Sequence, residues 1–168
     1  MIVWIRRGAR VLPVVVILSG TGALAAPAAH ADNQRLNSAV VSGVYTLQHQ
    51  AGCTNDIIRH NALTLAAEWH ADDMINNRNI NDDTGSDGSS PQDRANAAGF
   101  HGKAAETVAI NAAMSISSLE LINQWYYNPD DMAIIRDCAN TAMGVWSDNS
   151  LDRTVVVAMY GQPAPRNR

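Results

Sequence analysis

Two cysteines and five histidines carry most of the reactive chemistry in this 168-residue chain. Cys53 and Cys138 have no Cys-x-x-Cys spacing and no histidine at metal-ligand spacing, so a zinc site is a weak reading. An even pair in an oxidising compartment reads as one structural disulfide. Glu68 and His70 are an acid and a base two residues apart, and residues so spaced do not face each other on a helix. His70 therefore reads as a helix-edge residue, and His49, His60 and His101 fall at loop edges. The string Gly85-Ser86-Asp87-Gly88-Ser89 lacks both the Gly-x-Ser-x-Gly elbow and the phosphate-loop lysine; a turn is the better reading. A Ser-His-Asp triad rests on residue availability alone. Trp125-Tyr126-Tyr127 is read first as core and rim packing, and second as flat apolar surface for a lipid or glycan.

The elements that must position these residues follow from periodicity. Leu36, Val40, Val44 and Leu47 recur at four, four and three, giving a helix over 35–48 with one buried stripe. Leu63, Ala67, Ala71, Met74 and Ile75 do the same over 61–77. Residues 79–90 are rich in Asn, Asp, Gly and Ser and read as a loop with a tight turn at Asp87-Gly88. Ser90 as N-cap, Pro91 at the first helical position and Asp93 at N3 open a short helix that Gly99 ends. Residues 106–110 are short and alternate poorly; extended chain and turn both stay open. Ser117 and Glu120 form a capping box, and Asn128-Pro129 stops that helix, because the residue before proline avoids the α region. Residues 141–147 and 154–160 are β-rich, with a polar turn at Asp148-Asn149-Ser150, and read as an antiparallel hairpin. Val155, Val156 and Val157 run unbroken, as in a strand covered on both faces. Helices first and a hairpin last is an α+β arrangement.

The N-terminal stretch sets the expected compartment. Arg6, Arg7 and Arg10 precede an apolar run over 11–26, and Ala29-His30-Ala31 supplies a small-x-small site. Ser19-Gly20-Thr21-Gly22 interrupts that run, which falls short of the roughly 20 apolar residues a span needs. Residues 1–31 are therefore expected to be a signal peptide cleaved after Ala31, with a domain over 32–162 and a loose tail over 163–168. The expected mature chain carries 16 acidic residues against 9 basic ones, a net −7. So acidic a chain, with Lys103 as its single lysine, has no electrostatic footprint for nucleic acid or anionic headgroups.

Several strings then line up in order. Ala67-Glu68-Trp69-His70-Ala71-Asp72-Asp73-Met74 is similar to the "A-x-x-h-S-x-D-M" helix of the CAP superfamily (the SCP/PR-1-like domain). Asp87-Gly88-Ser89-Ser90-Pro91-Gln92-Asp93-Arg94 followed by Ala98-Gly99-Phe100 resembles its "D-G-x-x-P-x-D-R … a-G-y" segment. Ala105-Glu106-Thr107-Val108-Ala109 resembles "G-E-N-i-A", residues 122–129 around Trp125 resemble "v-x-x-W-x-x-S-P", and Gly144-Val145-Trp146 with 157–161 resemble the closing strands. The likeness spans roughly 37–162. It implies a three-layer α-β-α sandwich with a cleft that in many members holds two histidines and one or two acids, sometimes around a metal ion.

Carried over position by position, the acid falls on Glu106, while the two histidine positions fall on Asp83 and Asp131. His70 is the one histidine whose helix borders the implied cleft. Three carboxylates suit a hard cation rather than zinc, if any cation at all, and the preferred reading is a dismantled site; no metal and no cofactor is called for. The expectation is a secreted, non-enzymatic binding module for a lipid, sterol or glycan ligand or a protein partner, with no nucleic acid and no membrane span in the mature chain. A hydrolase using the cleft carboxylates and a cell-envelope structural protein are the alternatives.

Overall fold

The computed structural model describes residues 28–112 and 115–165. The expected leader lies almost wholly outside them. The elements run α1 (Ala28–Gln50), β1 (Ile58–Arg59), α2 (Asn61–Asn76), α3 (Pro91–Ala97), β2 (Gly102–Asn111), α4 (Ser118–Tyr126), α5 (Pro129–Ile135), β3 (Ala142–Asn149) and β4 (Thr154–Pro163). The strands form one sheet in the order β1-β3-β4-β2. β4 is antiparallel to both neighbours, with Val157 opposite Val108 on one side and Trp146 on the other.

Strand alternation divides the interior into two cores. Val156, Ala158 and Tyr160 face one way and pack with Val40 and Val44 of α1, Trp125 of α4 and Ile135 of α5. Val155, Val157 and Met159 face the other way, onto Leu63, Ala67 and Met74 of α2 and Ala95 of α3. All three valines are fully buried, which is why the run shows no polar alternation. The result is the α+β, three-layer α-β-α sandwich.

Two local features set α2 and α3 where they are. A Cβ at Gly144 of β3 would strike the α2 backbone at Leu63 and Thr64, so the glycine lets that helix lie directly on the sheet. Helix α3 opens with a reciprocal capping box between Ser90 and Asp93, with Pro91 in its first turn. Gly99, at a φ of 91°, turns the chain out of it, a left-handed conformation natural to glycine.

Four expectations need adjustment. Residues 106–110 belong to a ten-residue strand, β2. Asn128-Pro129 ends α4 but also begins α5, because the Asn128 side chain caps the backbone N–H groups of Asp130 and Asp131; proline is suited to a helix's first position as well as to stopping one. β3 runs on through Asp148 and Asn149, so the turn lies at 150–153. β4 continues to Pro163, and the Ala164 N–H donates to the His101 carbonyl, so ordered pairing reaches past 162.

Cys53 and Cys138 are bonded, with Cα atoms 5.3 Å apart across a sequence separation of 85. The bridge ties the loop after α1 to the segment before β3. Gln48 reinforces the same junction by donating from Nε2 to the Asn140 carbonyl at 3.1 Å. Among the described residues no helix is long and apolar enough to cross a membrane.

Candidate functional site

Glu106 sits in the middle of β2, and the pleat turns its side chain toward α2 and α3. There it meets two partners from different helices. His70 Nδ1 of α2 lies 2.7 Å from Glu106 Oε1. Arg94 of α3 brings Nη2 to 3.0 Å from Oε2 and 3.1 Å from Oε1. All three side chains are buried, His70 at 1% exposure, Glu106 at 4% and Arg94 at 6%. A carboxylate only accepts, so the hydrogen at His70 Nδ1 is given to Glu106, and the tautomer is set by that bond. The close approach of Arg94 Nη2 to the same Nδ1, at 3.2 Å, is then a packing contact rather than a second hydrogen bond.

Arg94 also organises the loop before its helix. Its Nη2 donates to the Asp83 carbonyl at 2.7 Å, and its Nη1 to the Ser89 carbonyl at 2.7 Å. Further along, Asp73 of α2 accepts from the Ser86 N–H and hydroxyl at 2.8 and 2.7 Å. Asp87 accepts from the Ser89 N–H at 2.9 Å, and the hydrogen bonds from Ser89 hold its carboxyl below the usual range. Ser90 does the same for Asp93. The polar stretch 79–90 is thus a structured wall held down by one buried guanidinium.

This wall, α2 and α3 enclose a cavity of about 520 Å³, lined among others by Trp69, His70, Asp73, Ser86, Ser89 and Arg94. Trp69, one of the lining residues, is 41% exposed. Two polar atoms of the lining residues are buried with no partner: His70 Nε2 and Arg94 Nε. Each unsatisfied group costs on the order of 1–3 kcal/mol.

The residues expected at the site divide sharply. His70 and Glu106 come together, His70 as a buried hydrogen-bond partner rather than a helix-edge residue. Local spacing hides this pairing, because the partner is 36 positions away. Asp83 contributes only its backbone carbonyl, its side chain being exposed. Asp131 lies in α5, on the opposite layer: Tyr160, which feels the Asp131 charge, shares a 3.0 Å hydrogen bond with Thr107, and Thr107 faces away from its neighbour Glu106. Burial first, then the neighbouring Asp130, pushes the Asp131 carboxyl up to about 6. Burial likewise raises the Tyr160 phenol. Arg94 is the site residue that sequence reasoning missed, although the "D-R" string contains it.

The donor set does not fit a metal. Both oxygens of Glu106 are engaged by Arg94 and His70, and Asp83 and Asp131 are not gathered with it. Among the described residues no cluster of three or more His, Cys, Asp or Glu side chains forms a potential metal site.

The matched family model is "CAP: Cysteine-rich secretory protein family", over residues 55–160. The chain belongs to this family. Among solved structures it is similar to an outer surface protein from Borrelia burgdorferi, with a TM-score of 0.67 at 17% identity, covering 78% of this chain and 95% of that one. It also resembles an extracellular protein containing an SCP domain from Bacillus anthracis, with a TM-score of 0.64 at 14% identity, covering 77% of this chain and 41% of that one. A cysteine-rich secretory protein from Staphylococcus aureus follows at 0.53 and 11%, covering 76% and 38%. At these identities the likeness is one of fold. No curated protein matches the sequence.

Proposed function

We propose that this CAP protein is an exported, non-enzymatic binding module that holds a small ligand in the cavity between α2 and α3. One observation carries the reading. The buried side chains beside the cavity engage one another, so that both Glu106 oxygens are taken up by His70 and Arg94 and Glu106 is a structural anchor. The cavity they support remains open, and its volume suits a small molecule. A lipid, sterol or glycan falls within the class, and a protein partner is a further option for the fold.

A hydrolase gains one supporting feature, the His70–Glu106 pair with its Nδ1 hydrogen held in place. It lacks a nucleophile: His70 Nε2 has no hydrogen-bond partner, Ser86 Oγ is spent on Asp73 and Ser89 Oγ on Arg94. Export rests on the basic and apolar leader over 1–31 and on the extracellular and outer-surface character of two similar proteins.

Mass spectrometry of natively exported protein tests both parts. The account expects a polypeptide beginning at Asp32 with a stoichiometric small molecule released on denaturation. Protein retaining Arg6 and Arg7 would contradict export with cleavage, and protein with an empty cavity would contradict the binding role.

A further inference from the structure

We infer that the outer edge of β3 is a second binding site, where a short extended peptide carrying a basic residue adds as a strand beside Val145. This surface is separate from the cavity between α2 and α3 and does not depend on it.

The two edges of the sheet are finished differently. Along β2, Gln92 of α3 donates to the Gly102 carbonyl at 3.0 Å and accepts from the Ala104 N–H at 2.9 Å. Trp125 of α4 donates to the Val108 carbonyl at 3.0 Å. Along β3, β1 pairs only as far as Met143, whose carbonyl accepts from the His60 N–H at 2.9 Å. At the far end the Ser147 carbonyl accepts from Asn33 Nδ2 at 3.1 Å. Strand residues alternate between the two sides of the ladder, so Val145, midway between these two, turns its N–H and C=O outward as well. Among the described residues no strand continues β1 beside it. Such an edge is a template for another strand, and strand addition is a common mode of peptide recognition.

The space beside this edge fits the same occupant. A cavity of about 290 Å³ touches residues 143–146 together with Ser38 of α1, Arg59 of β1 and Thr64 of α2. Consecutive strand residues face opposite ways, so a cavity that touches all four lies at the edge and not on a face. A second cavity, of about 240 Å³, shares Gln34, Asn37 and Trp146 with the first and extends to Asp72 and Asp148. Helices from both layers wall the groove, which leaves room for a single strand. A second copy of the chain would bring its own two helices to the same edge and does not fit. Charge sets the remaining requirement. Desolvation first, then the charges of Asp148 and Glu68, raise the Asp72 carboxyl, as in an acidic pair with no cation against it. A lysine or arginine side chain on the peptide supplies that cation.

The test selects binders to the full exported, disulfide-bonded protein from a phage-displayed library of random linear heptapeptides. Amide hydrogen exchange is then followed with a selected peptide added. Selected sequences should carry a basic residue, and saturating peptide should slow exchange at Val145 and Ser147 by about tenfold or more. Ser38→Trp, which fills the groove from the exposed side of α1, should weaken binding about tenfold, and Asp72→Asn about threefold. Methylating alternate backbone nitrogens of the peptide should weaken binding about tenfold in one of the two patterns and leave it unchanged in the other. Equal binding by both methylated patterns, unchanged exchange at Val145 and Ser147, or a library without binders would overturn the proposal. Protection of these amides that grows with protein concentration in the absence of peptide would assign the edge to a second copy and overturn it as well.

Discussion

His70 Nδ1 and Glu106 Oε1 stand 2.7 Å apart, one on a helix and the other on the sheet beneath it, with both side chains closed to water. Arg94 completes the group from a second helix. Truncating one member of a buried ion group is costly because it strands the others. Glu106→Ala should therefore lower stability by about 3–5 kcal/mol in urea denaturation. Pairing it with Arg94→Met should recover part of the loss. A single-variant cost below about 1 kcal/mol would mean that the three side chains are not mutually dependent.

The same arrangement predicts weak zinc binding. Glu106 cannot serve a metal without releasing Arg94, and neither Asp83 nor Asp131 is placed to help it. Calorimetric titration with Zn²⁺ should show no tight site in the cavity. Tight one-to-one binding that disappears in Glu106→Ala would refute this and restore a metal-dependent hydrolase as the leading reading.

The disulfide should contribute strongly. Closing a loop of this size lowers the entropy of the unfolded chain by an amount worth about 4–5 kcal/mol in the chain-entropy model. Cys53→Ser with Cys138→Ser should cost about 2–5 kcal/mol in denaturant, with the fold retained. A loss under about 1 kcal/mol would show that packing around Gln48 and Asn140 holds this junction by itself.

Asp131 should give the protein a pH signature. Its folded carboxyl is pushed up to about 6 from the usual 3.8, so the native state binds the proton more tightly than the unfolded chain does. Stability from this residue is then lost as pH rises through the window from about 4 to 6, and levels off above it. Solvent reaches this half-buried side chain, which limits the effect to about 1 kcal/mol. The difference between wild type and Asp131→Asn, followed from pH 4 to 7, should slope against wild type. A flat or opposite difference would show that the charge is better solvated than its burial implies.

The layers were legible because each amphipathic stripe kept a helical period and the two β-rich runs stood out by composition. Glu106 was legible because its motif surrounds it. Arg94 was not, because a charged residue on a short helix reads as solvent-facing until the fold places a carboxylate under it. Asp131 was assigned to the wrong face for a related reason. Its position in a motif says nothing of which layer α5 packs on, and a one-residue step along β2 separates the Glu106 face from the Thr107 face. Residues 106–110 hid their strand because Glu106 and Thr107 interrupt the apolar pattern, although both are buried and satisfied by partners far away in sequence.

The central claim is that the cavity between α2 and α3 binds a small molecule, and a cavity-blocking comparison tests it most directly. Ala97 lines the cavity from the exposed side of α3, so Ala97→Trp should obstruct it without disturbing the core. Wild type and variant would be purified identically from the native host and their bound small molecules quantified by mass spectrometry. The account predicts one molecule per wild-type chain and a loss of at least about tenfold in the variant, a difference of roughly 1.4 kcal/mol in binding, with equal thermal stability of the two stripped proteins. The same molecule retained at equal stoichiometry by Ala97→Trp, or no molecule on either protein, would contradict it.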